Sequence, residues 1–154
     1  MDASSPILIV EARFYEDIAD EMTAGAAAVL EEAGHGYVRL EVPGTFEVPA
    51  AVRFAIHAME IHSATEDYAG FIALGCVIRG ETGHHEHIAR ESIRALMELT
   101  QSHQIALGFG ILTCESREQA WERAARDKLN KGATAAEACL RMIGLKKHLR
   151  LVLR

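Results

Sequence analysis

The chain has 154 residues, 49% of them hydrophobic, so it can bury a sizeable core and is too apolar to be disordered as a whole. Its 22 acidic residues outnumber its 16 basic residues, and the net charge of −6 argues against a protein that binds nucleic acid. No apolar run reaches the ~18 residues that a membrane helix needs, so no membrane association is expected.

The first half of the chain alternates strands with helices. Residues 6–10 are apolar throughout, which predicts a strand buried on both faces, and residues 11–15 are predicted to be its exit loop. A helix over about 16–33 buries a stripe of apolar side chains at helical spacing. Residues 37–42 alternate apolar with charged side chains and predict an edge strand, and a second helix follows the loop at residues 43–49.

The second half repeats this alternation. Residues 70–78 carry no charge and predict a central strand that is buried on both faces. A helix over about 82–102 follows, and then a fourth strand over 105–112, whose two glycines indicate the close approach of a ligand or of another backbone. Ser116 is the capping residue of a fourth helix, and an alanine-rich last helix covers about 134–143.

These elements predict an α/β fold. Right-handed crossovers between parallel strands place helices on both faces of the sheet, which gives a three-layer α/β/α sandwich with a four-stranded parallel sheet, of the flavodoxin-like type. The edge character of the second strand and the apolarity of the first and third favour the strand order 2-1-3-4. The length predicts a single domain over residues 1–154, which starts with a short flexible tail at residues 1–5.

The strongest candidate site is the turn after the central strand, Gly80–Gly83. A glycine-containing turn that leads into a helix presents free backbone N–H groups, and the helix dipole favours anions, so this turn indicates a phosphate site. His84 shares the inward side of the next helix with Ile88 and is suited to move protons near neutral pH. Alternatively the turn binds nothing. His85 and His87 are interpreted as solvated side chains.

The histidine-rich run at residues 84–87 also permits a metal-site hypothesis. Neighbouring residues on a helix point about 100° apart, so these four side chains cannot converge on one ion. No metal is therefore expected.

Other candidate residues follow the remaining strands, and each has two interpretations. Phe14 either stacks on a flat ring or plugs the end of the sheet. Glu47 either accepts hydrogen bonds from a polar ring or only favours a helix N-terminus. Arg123 is either a surface charge or a ligand of phosphate, and Lys131 is most simply a solvated loop residue.

The cysteines indicate the cellular compartment. Cys76, Cys114 and Cys139 are odd in number and widely spaced, and they form no CxxC motif, which predicts free thiols and a cytoplasmic location. Cys76 lies in the apolar central strand and is interpreted as a small hydrophobic residue. Residues 1–6 contain no basic segment, so no signal peptide is expected.

Several motifs, in order and at the right spacing, resemble the lumazine synthase family over about residues 6–145. They are Arg13-Phe14, Val42–Pro49, Gly75–Thr82 with His84, Gln119–Ala124 and Asn130–Gly132. The resemblance implies the condensation of 5-amino-6-ribitylamino-2,4(1H,3H)-pyrimidinedione with 3,4-dihydroxy-2-butanone 4-phosphate in riboflavin biosynthesis. The products are 6,7-dimethyl-8-ribityllumazine, phosphate and water, and no metal or redox cofactor is implied.

The resemblance also implies roles for individual residues. Phe14 stacks on the pyrimidine, and His84 is the proton shuttle. Contacts to the ribityl chain come from Thr45, Phe46 and Glu47, backbone contacts to the ring from Val77 and Ile78, and backbone contacts to phosphate from Gly80, Glu81 and Thr82. Arg123 joins the phosphate across a subunit boundary. Phe109 also comes from the neighbouring subunit and belongs to the pyrimidine and ribityl contacts, and Lys131 lies near the site.

The chain departs from the family pattern at three positions. Tyr15 replaces a frequent asparagine, Gly83 replaces a frequent threonine, and Thr134 replaces an acidic residue that could pair with Lys131. The departure near Lys131 leaves an alternative open, in which the protein acts mainly as a structural shell or as a ligand-binding protein with poor turnover.

The implied partners are the two small-molecule substrates, riboflavin synthase and further copies of the chain. The family closes its head-to-tail interface into a ring of five subunits, which satisfies every contact. Residues 125–130 contain no glycine, whereas family members that form shells tend to carry one in this turn. A free pentamer is therefore predicted, with a sixty-subunit shell as the alternative. Residues 2–5 are predicted to reach the sheet edge of the adjacent subunit.

Overall fold

The computed structural model describes residues 5–151, and a parallel sheet of four strands lies at its centre. The strands are β1 Ile7–Ala12, β2 Tyr37–Val42, β3 Gly70–Ile78 and β4 Leu107–Cys114. Their order is β2-β1-β3-β4, which confirms the predicted α/β class and the predicted strand order. The predicted flexible tail lies outside the described residues except for Ser5.

Helices cover both faces of the sheet, which explains why β1 and β3 are apolar on both sides. The helices are α1 Glu16–Glu32, α2 Val48–Glu60, α3 His84–His103, α4 Arg117–Ala124 and α5 Lys131–His148, and a short 3₁₀ turn covers Thr45–Glu47. One apolar core lies between the sheet and α1, α4 and α5, and a second lies between the sheet and α2 and α3. Between residues 5 and 151, no helix combines the length and apolarity needed to cross a membrane.

The structure corrects several predicted boundaries. Glu11 and Ala12 belong to β1 and not to its exit loop, because Arg13, Thr23 and Arg39 donate hydrogen bonds to the buried Glu11 carboxylate. Lys131 is the first residue of α5 and not a loop residue, although its side chain is exposed as predicted. The break before α5 is Asn130, whose φ of 47° is left-handed. The predicted cap of α4 is confirmed, because Ser116 Oγ accepts a hydrogen bond at 3.1 Å.

The glycines of β4 answer the question of what approaches that strand. A Cβ atom on Gly108 would lie 2.0 Å from the carbonyl oxygen of Ala135 in α5. What approaches β4 at Gly108 is therefore the backbone of α5. The sequence predicts either a ligand or another backbone at these glycines, and the structure shows the backbone. This close packing fixes α5 against the edge strand of the sheet.

Candidate active site

A cleft of about 390 Å³ opens at the carboxyl ends of β1 and β3, beside the amino end of α3. Open α/β sheets bind their ligands at this end of the strands. The predicted site residues that line the cleft are Phe14, Thr45, Phe46, Glu47, Val77, Ile78, Gly80, Thr82 and His84. The fold thus brings together residues from three separate segments of the chain, 14–15, 44–47 and 76–88.

Thr45 forms part of the cleft lining and is held against the central strand. A Cβ atom on Gly75 would lie only 2.6 Å from Thr45 Oγ1, so the 3₁₀ turn packs where β3 has no side chain. Ser92 of α3 adds a hydrogen bond from its hydroxyl to the carbonyl oxygen of Thr45, at 3.3 Å. The Thr45 hydroxyl itself is buried and has no hydrogen-bond partner among the described residues. The Thr45 side chain is therefore held at a fixed place against β3.

Aromatic side chains line the open part of the cleft. Phe14 is 72% exposed and Phe46 is 61% exposed, which is unusual for residues of this size. Tyr15 meets Phe14 edge to face, with 5.0 Å between the ring centroids. Exposure on this scale contradicts the interpretation of Phe14 as a plug and leaves its ring free to stack on a planar ligand.

The phosphate candidate, Gly80–Gly83, lies on the surface at the amino end of α3. The Thr82 hydroxyl accepts a hydrogen bond from the His84 N–H at 3.4 Å, and the His85 ring lies 3.3 Å from the Thr82 carbonyl oxygen. A Cβ atom on Gly80 would have no heavy atom within 4 Å, so the space around the turn is open. Such a turn, at the positive end of a helix dipole, can accept an anion through its backbone N–H groups.

Cys76 also contributes to the cleft, and its chemistry is set by burial. Burial raises the pKa of its thiol to about 12, and the neighbouring Cys114 acts in the same direction. The Cys76 side chain is therefore a neutral thiol at physiological pH, which agrees with its interpretation as a small hydrophobic residue. The three cysteines are free and buried.

Four predicted site residues do not line the cleft of their own chain: Glu81, Phe109, Arg123 and Lys131. Phe109 pairs with Ala73 in the sheet, five residues before the end of β3 at Ile78. At about 3.3 Å per residue, this places Phe109 roughly 16 Å below the cleft end of the strand. Arg123 donates a hydrogen bond to the Gln119 carbonyl oxygen of its own helix.

Five residues line the cleft without a predicted role: Tyr15, Gly44, Cys76, His85 and Ile88. Strand alternation could have found Cys76, because it lies two residues before Ile78 and so shares its face. Helical spacing could have found Ile88, which is one turn beyond His84. Between residues 5 and 151, no group of three or more His, Cys, Asp or Glu side chains is placed to hold a metal ion.

Comparison with known proteins gives a consistent picture. The model of the 6,7-dimethyl-8-ribityllumazine synthase family matches residues 4–147. The 6,7-dimethyl-8-ribityllumazine synthase of Bartonella bacilliformis is 54% identical over 142 residues, which cover 92% of this chain and 90% of the relative. The enzyme of that name from Bartonella tribocorum is 53% identical over the same shares of both chains. The one from Agrobacterium fabrum is 52% identical over 93% of this chain and 95% of the relative.

Proposed function

The chain belongs to the 6,7-dimethyl-8-ribityllumazine synthase family, and from this premise we propose that the cleft at the ends of β1 and β3 is its active site. The protein is an enzyme of riboflavin biosynthesis that acts on small-molecule substrates. It condenses 5-amino-6-ribitylamino-2,4(1H,3H)-pyrimidinedione with 3,4-dihydroxy-2-butanone 4-phosphate and releases phosphate and water.

One observation carries the assignment of the site. A single cleft contains an exposed aromatic ring, Phe14, and an open backbone turn at a helix N-terminus, followed directly by His84. The reaction needs a surface for a planar ring, a binding site for an anion and a group that moves protons. These three requirements match the three features.

The pyrimidine substrate binds between β1 and the 3₁₀ turn. Its ring stacks on Phe14, and backbone groups at Val77 and Ile78 form hydrogen bonds to the ring. The hydroxyl groups of the ribityl chain bind at Thr45–Glu47, where the exposed Glu47 carboxylate offers a polar partner. The pyrimidine and the chain that it carries are thereby held in one orientation.

The phosphate of the second substrate binds to backbone N–H groups at Gly80–Thr82. The 5-amino group of the pyrimidine then attacks the substrate carbonyl, and water leaves as the imine forms. Phosphate elimination follows, and the ribitylamino nitrogen then closes the second ring on the remaining carbonyl with loss of a second water; both steps require proton transfers. His84, which follows the phosphate turn, carries these protons, and such acid–base help is typically worth ~10²–10⁴-fold in rate.

A second copy of the chain completes the site, with Phe109 at the pyrimidine and ribityl end and Arg123 at the phosphate end. Phe109 is 44% exposed on β4 and lies too far down its strand to reach its own cleft, so it is available to a neighbour. Arg123 of the neighbour adds a guanidinium group, which can bind phosphate through two hydrogen bonds. A head-to-tail contact of this kind closes into a ring of five, with the sixty-subunit shell as the alternative assembly.

Two further assignments accompany this function. The product is the substrate of riboflavin synthase, which is therefore the proposed partner enzyme. The cytoplasm is the proposed location, since free buried thiols are compatible with a reducing compartment.

A turnover assay with both substrates, monitored by the fluorescence of the lumazine product, tests the proposal. Steady product formation that is lost in Phe14→Ala and His84→Ala supports both the activity and the site. Substrate binding with only traces of product would instead favour the alternative of a shell or ligand-binding protein with poor turnover. Full activity in both variants would show that the site lies elsewhere.

A further inference from the structure

Glu11 is a buried charge beneath the cleft. Among residues 5–151, its side chain is the only charged one that is fully buried, with 0% exposure. It accepts hydrogen bonds from Arg39 at 2.7 and 2.8 Å, from Arg13 at 2.8 Å and from the Thr23 hydroxyl at 3.1 Å. Burial acts to raise the Glu11 pKa, but the bonds from Arg39 and Arg13 outweigh it, and the pKa is lowered. The carboxylate is therefore charged at neutral pH.

Arg13 connects this buried carboxylate to the cleft. Its guanidinium group also binds Asp20 at 2.7 Å and lies 3.9 Å from Glu41. Its backbone N–H donates to the Val42 carbonyl oxygen at 3.1 Å. Residue 13 is thus fixed through both its side chain and its backbone, and the Glu11 carboxylate is the buried end of these contacts.

Phe14, the next residue, has little support of its own. Its side chain is 72% exposed, and the aromatic ring beside it is that of Tyr15. Since an exposed ring gains little from packing, its position over the cleft depends on the backbone that carries it. That backbone is anchored one residue earlier, at Arg13. The same arrangement, in which buried contacts fix a group that meets a ligand, is what precise binding sites require.

We propose that Glu11 is a positioning residue for the pyrimidine substrate, acting through Arg13 on the ring of Phe14. Glu11 does not line the cleft itself, so it touches neither substrate. The inference depends on the proposed function, because it presupposes that the pyrimidine stacks on Phe14. It adds a residue to the site that neither the sequence motifs nor the cleft lining includes.

Glu11→Gln tests the inference, because it keeps the shape of the side chain and removes the charge. We expect the KM for the pyrimidinedione to rise by about three- to tenfold, while kcat changes by less than about twofold and the KM for the butanone phosphate stays unchanged. Arg39→Gln provides a second variant if Glu11→Gln fails to fold. In this variant Glu11 keeps its hydrogen bonds from Arg13 and from the Thr23 hydroxyl, so we expect the same effect at smaller size.

Two controls separate positioning from a loss of stability. Leu30→Ala removes a fully buried side chain near the other end of α1, so it should lower Tm without changing either KM. In a Phe14→Ala background, Glu11→Gln should cause no further rise in the pyrimidinedione KM. A rise that persists in that background, or one that affects both substrates equally, would overturn the inference.

The same experiment distinguishes failure of the inference from failure of the proposed function. If Phe14→Ala raises the pyrimidinedione KM while Glu11→Gln and Arg39→Gln leave it unchanged, the stack stands and the inference is wrong. If Phe14→Ala leaves that KM unchanged, the proposed stack is wrong and the inference fails with it.

Discussion

At the end of the cleft that carries Phe14, the backbone is supported by the buried Glu11–Arg13 contact, and the nearby Thr45 carbonyl oxygen accepts a hydrogen bond from Ser92. At the end that carries Gly80, the backbone lies on the surface, with open space around the turn. The proposed pyrimidine end therefore has its binding groups in place within one chain, except for Phe109 of a neighbour. The proposed phosphate end has a turn and two histidines, His84 and His85, but no lysine or arginine among residues 5–151 lines it, although it is proposed to bind a dianion. A group from a second copy would supply the missing charge.

The largest expected effect concerns that missing charge. Arg123→Ala should abolish most of the activity, and Arg123→Lys should restore only part of it, because lysine cannot form the two-pronged contact. Arg126→Ala is a matched control, since Arg126 is an exposed arginine that pairs with Glu21 of its own chain. Calorimetry with inorganic phosphate provides the direct measurement. Equal phosphate affinity in Arg123→Ala and the unmodified protein would place this arginine away from the site.

The next effect concerns proton transfer at the open end. His84→Ala should lower kcat by about ten- to a thousandfold and leave pyrimidine binding nearly unchanged, because the ring contacts lie at the other end. His87→Ala serves as the control, since His87 is exposed and does not line the cleft. An unchanged kcat in His84→Ala would refute the assignment of this histidine.

The supported end can be disturbed without touching a proposed catalytic group. In Gly75→Ala the new methyl group would meet the Thr45 hydroxyl at 2.6 Å, so the Thr45 side chain or the 3₁₀ turn that carries it must shift. We expect a loss of about 1–3 kcal/mol in the free energy of unfolding, with a higher KM for the pyrimidinedione. Gly144→Ala is the control, because nothing lies within 4 Å of its new methyl group, and it should be neutral or slightly stabilising. If the two variants have the same stability and KM, the turn is not held as described.

The smallest effect concerns Lys131, for which no acidic partner is present at position 134. Both side chains are exposed in the first turn of α5. We expect Thr134→Glu to leave the activity equal or slightly higher, because the new carboxylate could hold Lys131 near the phosphate end of an adjacent site. A large loss of activity would instead assign a role of its own to the Thr134 hydroxyl.

Much of the fold could be predicted from the sequence, because apolar runs such as residues 70–78 can only be strands covered on both faces. The position of Glu11 inside β1 could not be predicted, because a charged residue interrupts the apolar pattern of the strand. Its partner Arg39 lies 28 residues further along the chain. A weaker signal was present: in a strand, Glu11 and Arg13 share one face. Once the buried pair is recognised, the strand extends to Ala12.

The cleft itself was predictable where motif residues follow the strands, as Phe14 and His84 do. Residues whose distance from the cleft depends on how the strands are aligned were harder to place. Nothing in the spacing of β4 reveals that Phe109 stands opposite Ala73, far below the end of the sheet. Likewise, the contact between Gly75 and Thr45 joins two segments whose approach only the folded chain defines.

Mixing two inactive variants tests most directly the claim that one chain supplies His84 and its neighbour supplies Arg123. His84→Ala and Arg123→Ala subunits would be unfolded together, refolded as a one-to-one mixture and assayed for lumazine formation. In a ring assembled at random, about a quarter of the sites join an intact His84 to an intact Arg123 from the next subunit. We predict recovery of about that fraction of the unmodified activity, with the assembled ring checked by light scattering at about 85 kDa, five times the 16.9 kDa subunit. A mixture that reassembles but remains as inactive as its two components would contradict the shared site.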